Sequence, residues 1–513
     1  MTGFPSSPML TRRAEWIWRQ RPAPPTGMAA RFGPPRAVAE EANRFVYFRK
    51  TFTLEALLES TPLYISADGR YQLFVNGIFL GRGPARCDPA FQYYDTYEIA
   101  PHLRPGNNVI AVLVHSYGRH MAWYQLPRLE HAQHFGCGGL FVQGMGFDTD
   151  DSWRYLESAA WQQDTSAGAV SFVEIYDARQ APVDWQQPDF DDSGWSAAEV
   201  LLAPDWPNTP PIRPFPHMVP RDIPPLLEEV QQPLRVHRCA QVTEVADLPN
   251  LPAQIGAETM QGLTTCSAEG VDTLLDGGAV TVQTVPGQAV ALVLDFGGTV
   301  TGRPFFEIDA SAGAVIDIGT SERLQEDHIE PRFHSFLTSE NVDRVITRAG
   351  RQRWERFEWT GFRYLQLTIR NATEPLIIYN VAHTFTSYPV ETRGRFHCSD
   401  ALLNQIWQAG ANTLQLCMHD GFVDCPQREQ RQFVGDAYVE VLVNFAAFGD
   451  AALTAKLLRQ VQQSQRGDGM TQTTTPSDNA AVSSAAICDY ALYWLMTIRE
   501  YVRYTGDRAI VTE

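Results

Sequence analysis

The stretch SDALLNQIWQAGANTLQLCM, residues 399–418, is where the period of this 513-residue chain changes. Leu402, Leu403, Ile406, Trp407 and Leu414 fall at helical spacing, and Ser399 stands where an N-cap belongs. Downstream, the same period predicts a helix over Val434 to Phe448, stopped by Gly449, and another over Ala451 to Gln465, stopped by RGDG. A fourth is expected in AAICDYALYWLMTIREYVRYTGD, ending at Gly506. Helices joined by loops with no strands between them imply a bundle, a solenoid or an α/α barrel.

Upstream of residue 399 the pattern is that of strands. RFVYFRKTFTL (Arg44 to Leu54) alternates apolar and polar residues, and FVNG places a hairpin signal at Asn76-Gly77. LRPGNNVIAVLVHSYG adds a turn followed by a β-branched run, and FDDSGW reads as an exposed turn. Short strands with regular turn signals predict a β-sandwich or jelly roll over residues 1–203. Nine prolines between Pro204 and Pro225 predict an extended linker or a strap across a domain surface. A second β-sandwich is expected over 226–392, carried by AVTVQTVPGQAVALVLDFGGTVTGRPFFEIDASAGAVIDIGTSE and RFEWTGFRYLQLTIRN. The helical part then occupies 393–513, and no short internal repeat is visible.

Composition narrows the class. Hydrophobic residues make up 44% and charged residues 19%, enough for sizeable cores and too little charge for a disordered chain. A net charge of −18 disfavours nucleic acid and anionic membranes as partners and suits a neutral or cationic ligand. The N-terminus lacks a basic start before an apolar run, and no stretch is long enough to span a bilayer, so no secretion signal and no membrane span are expected. The eight cysteines are scattered without CxxC spacing, which predicts reduced thiols and a cytoplasmic protein with no zinc site.

The chemistry concentrates in DCPQREQRQFVGD, residues 424–436. Asp424, Glu429 and Asp436 repel when brought together, so at least one should hold its proton near neutrality, as a general acid must. Arg428 and Arg431 can offset and orient them. The competing reading is an ion-pair network that merely pins a loop. No histidine stands nearby to complete a metal site or to activate Cys425, which reads as a packing residue.

This loop, in a helical region behind β-domains, resembles that of the bacterial α-L-rhamnosidases of glycoside hydrolase family 78. FEWTGFRYLQL, GRFHCSDALLNQIW, CDYALYWLMTIREYVRYTGD, FVNGIFLG and FDDSGW resemble further stretches of the same family, so the resemblance covers most of the chain. It implies galactose-binding-like and second sandwich domains ahead of an (α/α)6 barrel, of which the chain holds an incomplete first part. It implies an inverting glycosidase acting on terminal α-L-rhamnosides of oligosaccharides or glycosides; no cofactor is expected, and no Asp-rich run in the sequence calls for a metal. Glu429 matches the family's general acid. Asp424 and Asp436 match carboxylates that bind the rhamnose hydroxyls, and Arg428 would hold that array. The loop lacks the family's Leu-Gly-Trp-Thr run, and Phe433 is the candidate for the missing aromatic wall.

An apolar methyl face on rhamnose calls for stacking, for which Trp494 and Tyr490 are candidates, with Asp489 facing the same pocket. No residue matches the downstream Glu that serves the family as base. Helices without their barrel neighbours imply exposed apolar faces and self-association. The alternatives are a non-catalytic carbohydrate-binding protein and a different α/α-barrel sugar enzyme.

Overall fold

The computed structural model describes residues 14–20, 41–88, 91–119, 121, 138–165, 170–201, 215, 218–243, 251, 260–261, 268–325, 328–329, 332–333, 339–465, 469–476 and 487–512.

The N-terminal region is a sandwich of two six-stranded sheets. One contains β2 (Pro62–Asp68), β5 (Gln92–Glu98) and β7 (Gly139–Gln143). The other contains β1 (Arg44–Leu54), β3 (Arg70–Val75), β4 (Ile78–Gly83), β6 (Gly106–Ser116) and β8 (Arg154–Glu157). Residues at alternate positions point to one face, so Val46 and Phe48, Leu63 and Ile65, Leu73 and Val75, and Ile110 and Val112 meet in one buried cluster with Trp18 and Trp153.

The described end of the proline-rich stretch is no free linker. Met218–Pro220 adds a parallel edge strand to β5, as a strap would. The remaining residues of that stretch before Met218, apart from Phe215, lie outside the described residues.

The second β-region is a continuous sheet of twelve strands, not two sheets divided at a clean boundary. It includes β9 (Leu227–Gln231), β10 (Arg235–Thr243), β11 (Gln288–Ala310), β12 (Val315–Ser321), β13 (Val342–Ile346), β14 (Gly350–Glu355), β15 (Thr360–Arg370) and β16 (Leu376–Ser387). The 23-residue β11 organises it: its first part pairs with β10 and β15, its last part with β14 and β16. The register shift between Asp295 and Val300 lets one strand serve both sides. Ile175–Asp177, expected in the first domain, instead pairs in parallel with β13 and covers that edge.

The helices are α1 (Ala401–Cys417), α2 (Val434–Ala447), α3 (Ala452–Gln463) and α4 (Cys488–Thr505). Asp400, not Ser399, caps α1, because its carboxylate accepts the Leu402 N–H at 2.8 Å. Gly449 (φ +69°) ends α2 in a left-handed turn whose N–H returns to the Asn444 carbonyl at 2.7 Å. The helical core gathers Leu414, Met418, Val434, Val441, Phe445, Leu457 and Val461. Leu402, Leu403 and Ile406 sit at core spacing yet are exposed by 61%, 47% and 57%, since nothing described packs on that face of α1. No helix among the described residues is long and apolar enough to cross a membrane.

One cysteine departs from expectation. Cys239, on β10, is disulfide-bonded. Among the other described cysteines, Cys87, Cys398, Cys417, Cys425 and Cys488 are free thiols.

Candidate active site

The segment from Phe422 to Phe433 joins α1 to α2 and is stitched to itself. Asp424 N–H donates to the Arg431 carbonyl at 3.0 Å, and Arg431 N–H returns to the Asp424 carboxylate at 2.9 Å. The Cys425 thiol donates to the other Asp424 oxygen at 2.9 Å and accepts the Glu429 N–H at 3.3 Å. Cys425 fits the packing role expected: its thiol is tied into the loop and pushed up to about 11 by burial and by Asp424, which disfavours the thiolate at neutral pH.

Three regions of the chain hold this loop from outside. Gly361 on β15 donates to the Pro426 carbonyl at 2.9 Å, and a Cβ there would stand 2.6 Å from the Pro426 ring and 2.8 Å from its backbone. The Gly in FEWTGFRYLQL thus lets a strand of the twelve-stranded sheet touch the loop. From the N-terminal sandwich, Arg86 donates through Nη2 to the Gln430 carbonyl at 2.9 Å and through its backbone N–H to Asp420 at 2.7 Å. From α3, Gln460 binds the fully buried Gln432 at 2.9 Å, and Gln432 also accepts the Phe422 N–H. Gln430, directly after Glu429, is held at φ +51° within this knot.

Glu429 is 5% exposed, and its carboxylate meets the Arg428 guanidinium at 2.9 Å. Burial first, then repulsion from Asp424, raises its pKa; Arg428 and Arg431 pull it back, and Asp436 adds a further push. Asp424 is raised too, chiefly by burial. Asp436 lies exposed in the first turn of α2 and accepts the Tyr490 hydroxyl at 2.9 Å. Gly435, beside it, leaves room for the Tyr490 ring. Asp424, Arg428, Glu429 and Asp436 are therefore close enough to act on one another's charge.

The other two expected residues are placed differently. Asp489 is exposed in the first turn of α4 and acts on Tyr490, not on Glu429. Trp494 is partly buried and packs against the helical core. Phe433 stands just ahead of α2 and bridges to Thr474. Sequence reasoning missed Glu440, whose carboxyl is raised well above the usual range by burial and by Asp436 and Asp424. Its signal was present: it lies one helical turn beyond Asp436, on the same face of α2. Among the described residues no cluster of His, Cys, Asp and Glu suits a metal ion.

The N-terminal sandwich and the twelve-stranded sheet brace a loop in which burial and repulsion raise the Glu429 pKa, an arrangement suited to a glycoside hydrolase. Three family models match in order: the alpha-L-rhamnosidase N-terminal domain at residues 57–216, the bacterial alpha-L-rhamnosidase concanavalin-like domain at 287–387, and the bacterial alpha-L-rhamnosidase 6 hairpin glycosidase domain at 391–513. An alpha-L-rhamnosidase of Formosa agariphila is 22% identical over 411 residues, which is 76% of this chain and 37% of that protein. The GH78 rhamnosidase of Bacillus sp. GL1 superposes with a TM-score of 0.77 at 24% identity, covering 97% of this chain and 67% of that one. The Streptomyces avermitilis alpha-L-rhamnosidase complexed with L-rhamnose gives 0.59 at 18% identity, over 91% of this chain and 42% of the other. The chain belongs to the bacterial α-L-rhamnosidases of glycoside hydrolase family 78. It spans 37% to 46% of the length of the curated relatives it matches.

Proposed function

We propose that this chain carries the acid side of an inverting α-L-rhamnosidase site that acts on terminal rhamnosides of oligosaccharides or glycosides. The observation that supports it is Glu429, a largely buried carboxyl whose pKa is raised by desolvation and by the neighbouring Asp424. In this reading Glu429 gives its proton to the glycosidic oxygen as the C1–O bond breaks. Arg428 holds the carboxyl in place, and Asp424 and Asp436 take hydrogen bonds from the sugar hydroxyls. Glu440, held neutral, limits the negative charge of the pocket. Water attacks from the opposite face, delivered by a base at roughly 6.5–9.5 Å from the acid; no residue of this chain is assigned that role. Tyr490, tied to Asp436, is the better placed of the two aromatic candidates.

The test is release of p-nitrophenol from p-nitrophenyl α-L-rhamnoside. Glu429→Gln is expected to lower kcat by ~10²-fold or more. A loss of only a few-fold would remove Glu429 from the role of acid.

A further inference from the structure

Glu429 is followed by a residue in a conformation that its side chain disfavours. Among the described residues, five that are not glycine have a positive φ: Asn43, Asn76, Asp184, Asn371 and Gln430. Asn and Asp tolerate the left-handed region; Gln, here at +51°, does so much less readily. A residue held this way persists only where its surroundings over-determine it. Inside the loop, the Gln430 amide donates to the Pro426 carbonyl at 2.6 Å. From outside, the Arg86 guanidinium grips the Gln430 carbonyl at 2.9 Å.

Arg86 belongs to the N-terminal sandwich, three residues beyond β4, and is itself firmly held. Its carbonyl accepts the Lys456 ammonium at 2.9 Å and the Gln460 amide at 3.0 Å, both from α3. Its N–H is bound to Asp420. The next residue, Cys87, donates to Gln92 Oε1 at 3.3 Å and accepts the Tyr93 N–H at 3.4 Å, which ties this segment to β5. Arg86 is 6% exposed, and burial pushes its guanidinium down to about 10, still a cation at neutral pH. A buried cation aimed at a backbone carbonyl is a costly clamp, and this one closes a single residue away from the carboxyl.

We propose that Arg86 is a positioning residue for the hydrolysis: by holding the Gln430 carbonyl it keeps the loop turned so that Glu429 stays aimed, which makes the N-terminal sandwich a working part of the site. The inference rests on the reading of Glu429 as the acid. Arg86 acts through the backbone and not through its charge. The charges that bear most on Glu429 are those of Asp424, Arg428, Arg431 and Asp436, from the loop itself and the first turn of α2. Without the clamp the loop relaxes and water reaches a carboxyl whose raised pKa owes most to burial.

The experiment compares Arg86→Met and Arg86→Lys with the wild-type chain by two readouts. One is hydrolysis of p-nitrophenyl α-L-rhamnoside. The other is the titration midpoint of the Glu429 carboxyl by carbon-13 NMR, its signal assigned by its loss in Glu429→Gln. Arg86→Met is expected to lower kcat by ~10-fold or more with KM within a factor of about two, as a misaimed group does. The midpoint should move down toward the ordinary value near ~4.3. Lys keeps the positive charge beside Asp420 but lacks the rigid fork, so it should show a smaller loss in the same direction; it decides the matter if Arg86→Met fails to fold. Glycine carries no steric penalty at positive φ, so in a Gln430→Gly background the Arg86 substitutions should lower kcat less than in the wild type, the non-additivity of a shared task. The proposal is overturned if the folded variants keep the wild-type kcat and midpoint and lose only thermal stability, or if their losses in kcat simply multiply with that of Gln430→Gly. A wild-type chain that hydrolyses nothing counts against the rhamnosidase reading instead; the midpoint needs no turnover and still decides whether Arg86 sets the surroundings of Glu429.

Discussion

Asp420 and Asp424 lie four residues apart in one segment and titrate in opposite directions. Asp420 faces the N-terminal sandwich. Arg70 binds it at 3.1 Å, the Arg86 N–H at 2.7 Å, and Lys456 stands over it, so its carboxyl is held well below the usual carboxylate range although it is buried. Asp424 faces the carboxylate cluster, accepts only a thiol and a backbone N–H, and is pushed up by burial. A crowd of charges in sequence is thus two devices in space. Where cations meet each carboxylate, the result is a bolt between domains; where carboxyls meet each other, it is a proton reservoir.

The two halves of this contrast break differently. Asp420→Ala removes the buried carboxylate that Arg70, Arg86 and Lys456 share, and is expected to cost about 3–5 kcal/mol of stability by denaturant unfolding. The pH dependence has opposite signs on the two sides. Asp420 has a depressed folded pKa, so its contribution is present above the unfolded value near ~3.9 and is lost as pH falls below it. Asp424, Glu429 and Glu440 have raised folded values, so the folded state binds extra protons and stability declines as pH rises through their titration. Glu440→Gln should therefore flatten the decline of Tm between acid and neutral pH, and a Tm-versus-pH curve parallel to wild type would contradict that.

Smaller effects probe the supports of the loop. Gly361→Ala drives a methyl into Pro426 and is expected to cost about 1–3 kcal/mol, with kcat falling more than KM changes, because the acid moves and the sugar contacts remain. Smallest in stability is the exposed face of α1. We expect Leu402→Glu with Ile406→Lys to change stability by only about 0.5 kcal/mol. Light scattering should nevertheless show less self-association, since 61% and 57% of those side chains are exposed. A monodisperse monomer in the unmodified chain would contradict the expectation of self-association.

Much of this contrast could be read from the sequence, though only its local part. The helices lie within a few residues of where period and Gly stops put them, because those signals act within one turn: α2 is Val434–Ala447 against an expected end at Phe448. The carboxylates of the loop were visible as residue types, and Glu440 was one turn away. What stayed hidden depends on distant chain. Arg86 reaches Gln430 across 344 positions, and nothing near either residue announces the pair. Ile175–Asp177 joins the second sheet only because an edge there needs covering. Leu402 and Ile406 have core spacing but no neighbour, since periodicity reports an apolar face without reporting what packs on it. Trp494 shows the same limit from the other side: its position in a family-like helix did not reveal that it packs, partly buried, against the helical core.

The central claim is that Glu429 is a proton donor whose pKa burial raises, with Asp424 pushing it further up and Arg428 pulling it down. The pH–rate profile of p-nitrophenyl α-L-rhamnoside hydrolysis tests it most directly, because activity falls as the acid loses its proton. Asp424→Asn removes the repulsion and should move the alkaline limb to lower pH. Arg428→Met removes the attraction and should move that limb to higher pH. Opposite displacements in the two variants are the result predicted here; a limb that stays put in both, or moves the same way in both, contradicts it.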